Sequence, residues 1–217
     1  MIKFLSHSLI AYEDDYLLII DKPAGILVHP TVNERGNTLY DYIKSYYNLR
    51  NISADIHPVS RLDRNTSGLV IFAKEPVVQF WLSKQQIEKE YLALVCGHVT
   101  EQSGIIEVPI ARKEGSIIER CIDFSIGKYA KTAFETIAYY KNSTLLKLRL
   151  FTGRTHQIRV HCAYISHPLV NDNLYGTPGP QARHALHAYR LAFRHPVSDE
   201  FLEITRAMPD DLRKMLY

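Results

Sequence analysis

The chain of 217 residues carries only three cysteines, Cys96, Cys121 and Cys162. They are odd in number, scattered and without a CxxC pair, so they read as reduced core residues of a cytosolic protein rather than a disulfide frame or metal cage. No apolar run approaches the roughly 20 residues of a helical membrane span. The opening MIKFLSHSLIAYEDD has one Lys and a broken apolar patch, and it lacks the cleavage pattern of a secretory signal. There is no P-loop, no GxGxxG and no GxSxG, and no pair of acids is set for glycoside hydrolysis. The pairs His184/His187 and His156/His161 lack an HExxH context or a clear third ligand, so no metal site is expected. Internal repeats, low-complexity tracts and Gly/Ser linkers are also missing, and a single domain over 1–217 is expected.

The composition that remains is that of a globular protein, 46% hydrophobic and 23% charged. Net charge is only +3, but it is uneven: Lys147 to Ser198 holds seven Lys/Arg against one acid, Asp172. A basic half with aromatic neighbours suits a polyanion such as nucleic acid, and a solvated basic face would look the same on charge alone.

Buried strands are expected at 16–22 and, after the Pro23-Ala24-Gly25 turn, at 26–30. Apolar spacing predicts a helix over 38–48, a strand over 69–73, and a helix from Pro76 to about Glu88. Further strands are expected at 90–97, near 105–110, 117–122 and 130–140, at 144–151 and at 184–196. Alternation in TLLKLRLF puts Leu146, Leu148 and Leu150 on one face, with Lys147 and Arg149 on the other. The period changes at TGRTHQIRVHCAYIS, which reads as a helix with Thr155 as N-cap, and 209–216 reads as a closing helix. Many strands, few helices and no steady βαβ alternation predict an α+β fold with a mixed, largely antiparallel sheet, flanking helices and a basic central cleft.

Three places could carry chemistry. In HPVSRLDRNTSGLVIFAK, Arg61, Asp63 and Arg64 crowd three charges beside an apolar strand. Flanking cations favour an ionised Asp63, a ready carboxylate nucleophile, although a surface turn tied by Arg–Asp pairs uses the same residues. In TGRTHQIRVH, a strand feeds a glycine turn and a helix start, which suits an anion. Arg154, His156 and Arg159 lie there, and a capped helix with solvated bases fits equally. Tyr91, leading the strand KEYLALV, has the spacing of an ordinary core tyrosine with its hydroxyl at a rim.

Together, HPVSRLDRNTSGLVIFAK, KEYLALVCG and TGRTHQIRVHCAYISHPLVNDNLYG resemble, in order, the motifs of the RluA-type pseudouridine synthases. YEDDYLLIIDKPAGILVHP and ALHAYRLAFRHP resemble that family's flanking segments, so the likeness runs from about Tyr12 across nearly the whole chain. The resemblance implies the pseudouridine synthase fold and isomerisation of uridine to pseudouridine in structured ribosomal or transfer RNA, with base flipping and no metal or organic cofactor. It implies Asp63 as the nucleophile, Arg159 as the arginine paired with that aspartate, and Tyr91 as the tyrosine packed on the target base. Arg61, Arg64, Arg154, His156 and Gln157 are the expected RNA contacts. No S4 domain, no membrane, no obligate protein partner, a monomer and a cytoplasmic location are expected. Ser60 stands where many members have His, and Ser166 and Asn171 stand where glycines are common. A non-catalytic RNA-binding or RNA-folding protein on the same fold, and an N-glycosidase that stops after bond cleavage, remain as alternatives.

Overall fold

The structure, a computed structural model, describes residues 6–32, 34–179 and 183–216. It is α+β with mostly antiparallel strand pairing, and the chain divides into two compact units, 1–87 with 188–206, and 88–187 with 207–217.

The first unit contains β1 (Ile10–Glu13), β2 (Leu17–Lys22), α1 (Leu39–Arg50), β3 (His57–Pro58), β4 (Ser67–Ala73) and α2 (Pro76–Lys84). The second contains β5 (Glu88–Cys96), β6 (Ser103–Glu107), β7 (Ile110–Arg112), β8 (Arg120–Ile122), β9 (Lys131–Tyr140), β10 (Ser143–Leu150) and α3 (Gln157–Tyr164). The chain then forms β11 (Leu186–Arg194), whose residues from Ala188 onward belong to the first unit, and β12 (Phe201–Thr205). It ends in α4 (Asp210–Arg213), within the second unit.

In the first unit the sheet runs β1-β2-β4-β11, with β12 outside β11 and β3 beside β4. Its central strands read as unbroken apolar runs because both faces are covered. Leu18, Ile20, Val70 and Phe72 pack on Leu39, Tyr42, Ile43 and Tyr47 of α1. Leu17, Ile19, Leu69 and Ile71 pack on Val78 and Leu82 of α2. Thr38 and Asp41 close a reciprocal capping box at the start of α1. Gly68 permits a close crossing at the head of β4: its φ is +115°, and a Cβ there would lie 2.2 Å from the carbonyl oxygen of Ala188.

In the second unit the sheet is antiparallel in the order β5-β10-β9-β6, with β7-β8 as a separate hairpin. Leu148 pairs with Tyr91 and Phe134, and Leu150 with Lys89 and Thr132. This face is the buried one, and the predicted alternation of β10 holds. Lys147 and Arg149 lie on the opposite face, in ion pairs with Glu135 and Glu88. Cys162 is wholly buried, and burial pushes its thiol up to about 12.

Several expected elements differ. The segment 26–30 is not a strand, because the carbonyls of Leu27 and Val28 accept from Leu39 and Tyr40 at the first turn of α1 (2.8 and 2.9 Å). These carbonyls satisfy helix N–H groups that have no partner inside the helix. Helix α2 stops at Lys84, four residues short. Gln85 turns extended, and its side chain donates to the Arg194 carbonyl at 2.9 Å. Thr155 is not the N-cap of α3: that place is taken by His156, in the left-handed region at φ 58°. Strands β1, β3 and β12 were not foreseen.

The two glycine-like positions of the second unit are explained by backbone conformation. Ser166 and Asn171 have φ of 66° and 59°. Ser166 follows the C-cap of α3, where its N–H reaches the Ala163 carbonyl (3.0 Å) and that of His167 reaches Cys162 (2.9 Å). This is a Schellman ending, which favours glycine at the Ser166 position. Ser166 is exposed, so a substitution there reports on the backbone alone. Ser166→Gly should unfold at a denaturant midpoint no lower than the natural chain, whereas Ser166→Val should lose about 2 kcal/mol, since β-branched residues resist this region. Equal midpoints for all three proteins would contradict this account.

Candidate active site

Asp63 sits in the first unit, half-buried, at the head of a turn that leads directly into the wholly buried β4. Its carbonyl accepts the N–H of Thr66 at 3.1 Å. Asp is a favoured residue at the first position of such a turn. The next carbonyl, that of Arg64, accepts from the Gly25 N–H (2.9 Å) and from the Lys22 ammonium (3.0 Å). Lys22 is fully buried, and it donates also to the carbonyls of Pro23 and Ile26, both at 3.0 Å. The DKPAG segment therefore seats the Asp63 turn. Gly25 makes this approach in a left-handed conformation at φ +92°.

The charges flanking Asp63 are used separately. Arg64 turns its guanidinium to Glu34, with both terminal nitrogens donating to the carboxylate. Arg61 is exposed.

Tyr91, Arg154, His156, Gln157 and Arg159 are in the second unit. Tyr91 lies on the buried face of β5 and is 7% exposed. Lys89, two residues earlier, shares that face by strand periodicity, and burial pushes its ammonium down. Lys89 was not singled out from the sequence. Helix α3 is fastened to the same face through Thr132 of β9. The Gln157 amide donates to the Thr132 hydroxyl (2.9 Å) and the Lys131 carbonyl (3.0 Å). His161 engages Thr132 through Nδ1 and the Val108 carbonyl through Nε2, at 3.0 and 3.2 Å. Burial pushes the His161 imidazole below its usual range. The Gln157 oxygen accepts from the Arg154 N–H (2.9 Å) and the Thr152 hydroxyl (2.8 Å). Gln157 is buried and ties down the turn before α3, while Arg154 is exposed beside it.

Arg159 is 5% exposed and forms a two-point pair with the fully buried Asp172, through Nε to Oδ2 (2.8 Å) and NH2 to Oδ1 (2.7 Å). Asp172 Oδ1 also accepts the N–H groups of Leu174 (3.0 Å) and Tyr175 (3.2 Å). Burial alone would raise the Asp172 carboxyl, but Arg159 and these N–H groups hold it below the usual carboxylate range. The Tyr175 ring lies 5.0 Å from the Arg159 guanidinium carbon. Its hydroxyl accepts the N–H of Arg120 (2.8 Å) and meets His156 Nδ1 (2.7 Å). Arg159 thus has a fixed plane and a compensated charge. Asp172 was missed as a partner, although it is the sole acid of the basic segment; the two residues lie thirteen positions apart, from inside α3 to the loop beyond it, and the pairing has no periodic signature.

Residues 16–164 match the model of the family described as RNA pseudouridylate synthase. An RNA pseudouridine synthase of Bacillus subtilis is 36% identical over 212 residues, covering 95% of this chain and 75% of that protein. The ribosomal large subunit pseudouridine synthase D of Nitrosomonas europaea is 37% identical over 221 residues, covering 95% and 64%. Among solved structures, human RNA pseudouridylate synthase domain containing 1 superposes with a TM-score of 0.76 at 25% identity, over 96% of this chain and 85% of that one. The chain belongs to the RNA pseudouridylate synthase family. Within it the chain is of the RluA type, an enzyme that isomerises uridine in RNA to pseudouridine.

The Arg159–Asp172 pair gives a pH dependence of defined sign. An aspartate held below its ordinary value of about 3.9 stabilises the folded state fully at neutral pH, and that share is lost as pH falls below about 4. Asp172→Asn breaks this buried two-point pair and should cost about 3–5 kcal/mol at pH 7. In urea unfolding from pH 7 to 3, the gap between natural chain and variant should be widest at pH 7 and narrow in acid. A constant gap, or none, would contradict the assignment.

Proposed function

We propose that this enzyme converts particular uridines in a structured ribosomal or transfer RNA, with Asp63 as the carboxylate nucleophile. Large-subunit ribosomal RNA is the first candidate, because several relatives carry that substrate in their names. The target base must leave its stack to be reached, at a cost of a few kcal/mol. Asp63 breaks the bond from uracil N1 to the ribose, directly or through a glycal-like intermediate, and the base rotates and rejoins through C5. Tyr91 packs against the base and assists proton transfer. Arg159 acts on the carboxylate and the substrate as a cation whose position is fixed by Asp172. Arg61, Arg154 and His156 contact RNA. Gln157 serves RNA binding indirectly, by holding the Arg154 backbone.

The observation that carries the reading is the seating of the Asp63 turn. A fully buried ammonium and a left-handed glycine converge on the carbonyl of the very next residue. That is an expensive way to hold a mere surface turn, and an apt way to keep a carboxylate aimed.

Joining through C5 expels the C5 hydrogen to water, so tritium release from RNA made with [5-³H]uridine reads the reaction without knowledge of the site. The natural chain should release tritium from mixed ribosomal and transfer RNA, and Asp63→Asn should release none while keeping its fold and much of its RNA affinity. Tritium release by Asp63→Asn would remove the nucleophile assignment. Tight RNA binding without release by the natural chain would favour an RNA-binding protein, and free uracil would favour an N-glycosidase.

A further inference from the structure

The second unit carries a cleft of about 410 Å³ between the β7–β8 hairpin, the 126–128 segment and the turn before α3. Four of its lining residues are cations, Arg112, Arg120, Lys128 and Arg154, and among the described residues no acidic side chain lines it. Among neighbouring acids, Glu119 pairs with Lys113, Glu107 with Lys131 and the Tyr129 hydroxyl, and the Asp123 carboxylate caps its own turn. Converging cations repel one another, and an anion in the cleft relieves that repulsion.

The walls are preformed. Arg120 donates from NH1 to the carbonyls of Ile118 and Glu119, both at 2.9 Å, and Arg154 donates from Nε to the Tyr129 carbonyl at 2.9 Å. Each guanidinium is oriented through one nitrogen and keeps further N–H groups for a ligand. Lys128 follows a tight turn in which Asp123 Oδ1 accepts the N–H groups of Ser125 (2.8 Å) and Ile126 (3.2 Å), and the Asp123 carbonyl accepts that of Gly127 (3.0 Å). A Cβ on Gly127 would lie 2.2 Å from that carbonyl oxygen, so the turn is shaped for glycine. Two aromatic side chains of this segment are unusually open, Phe124 at 73% and Tyr129 at 54% exposure.

We infer that this cleft is a second RNA-gripping site, which takes backbone phosphodiesters on Arg112, Arg120, Lys128 and Arg154 and offers Phe124 and Tyr129 as stacking faces. Guanidinium forks match phosphate oxygens, and exposed rings beside a cationic groove bind unpaired bases. The inference rests on the RNA reading above and extends it, since Arg112, Arg120 and Lys128 lie outside the segments quoted above for the resemblance. The cleft grips RNA through its backbone and sets how firmly the substrate is held.

The test compares the natural chain with Arg112→Gln/Lys128→Gln, using a fluorescein-labelled, uridine-containing RNA stem-loop titrated across a range of salt. Both side chains are exposed, so the variant should keep the natural unfolding midpoint. Each lost phosphate contact lowers the slope of log K against log salt by about 0.7–0.9, so losing two should lower the slope by about 1.4–1.8 and the affinity at physiological salt by about tenfold or more. The charge-keeping Arg112→Lys/Lys128→Arg should restore the slope, which a purely structural role would not require. An unchanged slope and affinity in the Gln variant would overturn the cleft assignment. Failure of the wider reading would look different: the natural chain would release no tritium from any RNA, whatever the slope.

Discussion

A lysine ammonium shut away from water anchors the Asp63 turn of the first unit. Lys22 ends the apolar strand β2, and its three ammonium donors meet three backbone carbonyls. Burying such a charge costs several kcal/mol, and charge-assisted hydrogen bonds with good geometry offset that cost. One of those carbonyls belongs to Arg64, so the position of the Asp63 turn is tied to the strand order of the sheet. The sheet is itself fixed by packing α1 on one face and α2 on the other. A change in the β2–β4 register would move Lys22 and the Asp63 turn relative to each other.

The second unit solves the complementary problem of keeping an arginine charged and oriented with almost no solvent. Asp172 compensates Arg159, Tyr175 lies against its plane, and the Tyr175 hydroxyl reaches the backbone of Arg120. Residues that line the cationic cleft and residues that hold the buried arginine are therefore linked through one tyrosine. Gln157 and His161 clamp the same helix to Thr132. The basic excess noted in the sequence is largely taken up by ion pairs, since Lys147, Arg149, Arg159, Arg183 and Arg190 all meet acids, while Arg154 is left exposed at a cleft.

Strong periodic signals carried the parts of the fold that sequence reading anticipated. The runs in β2 and β4, the 3.6 spacing in α1 and the alternation in β10 arise from side chains meeting one continuous core. The segment at 26–30 misled because its apolar residues are buried while its carbonyls serve the start of α1. Strand β12 escaped notice because only Ile204 of its five residues is buried. Asp63 was visible through its motif, whereas Lys22, Lys89 and Asp172 were not. Their roles depend on carbonyls, neighbours or partners brought close by folding, and local pattern carries no trace of these. The departures at Ser166 and Asn171 were noticed in the sequence, and left-handed backbone supplies the reason for glycine at both places.

In the mechanism we propose, Lys22 keeps the Asp63 turn in place for attack, and Lys22→Met is the sharpest probe of that role. Methionine can occupy the same volume but cannot donate to the Arg64 carbonyl. The measurement is tritium release at saturating RNA by a preparation shown to be folded. The account predicts a rate about tenfold or more below the natural chain, since small displacements of a reacting group cost that much. RNA affinity should be retained. An unchanged rate in the folded variant would mean that the turn is held without the lysine, and would contradict the account.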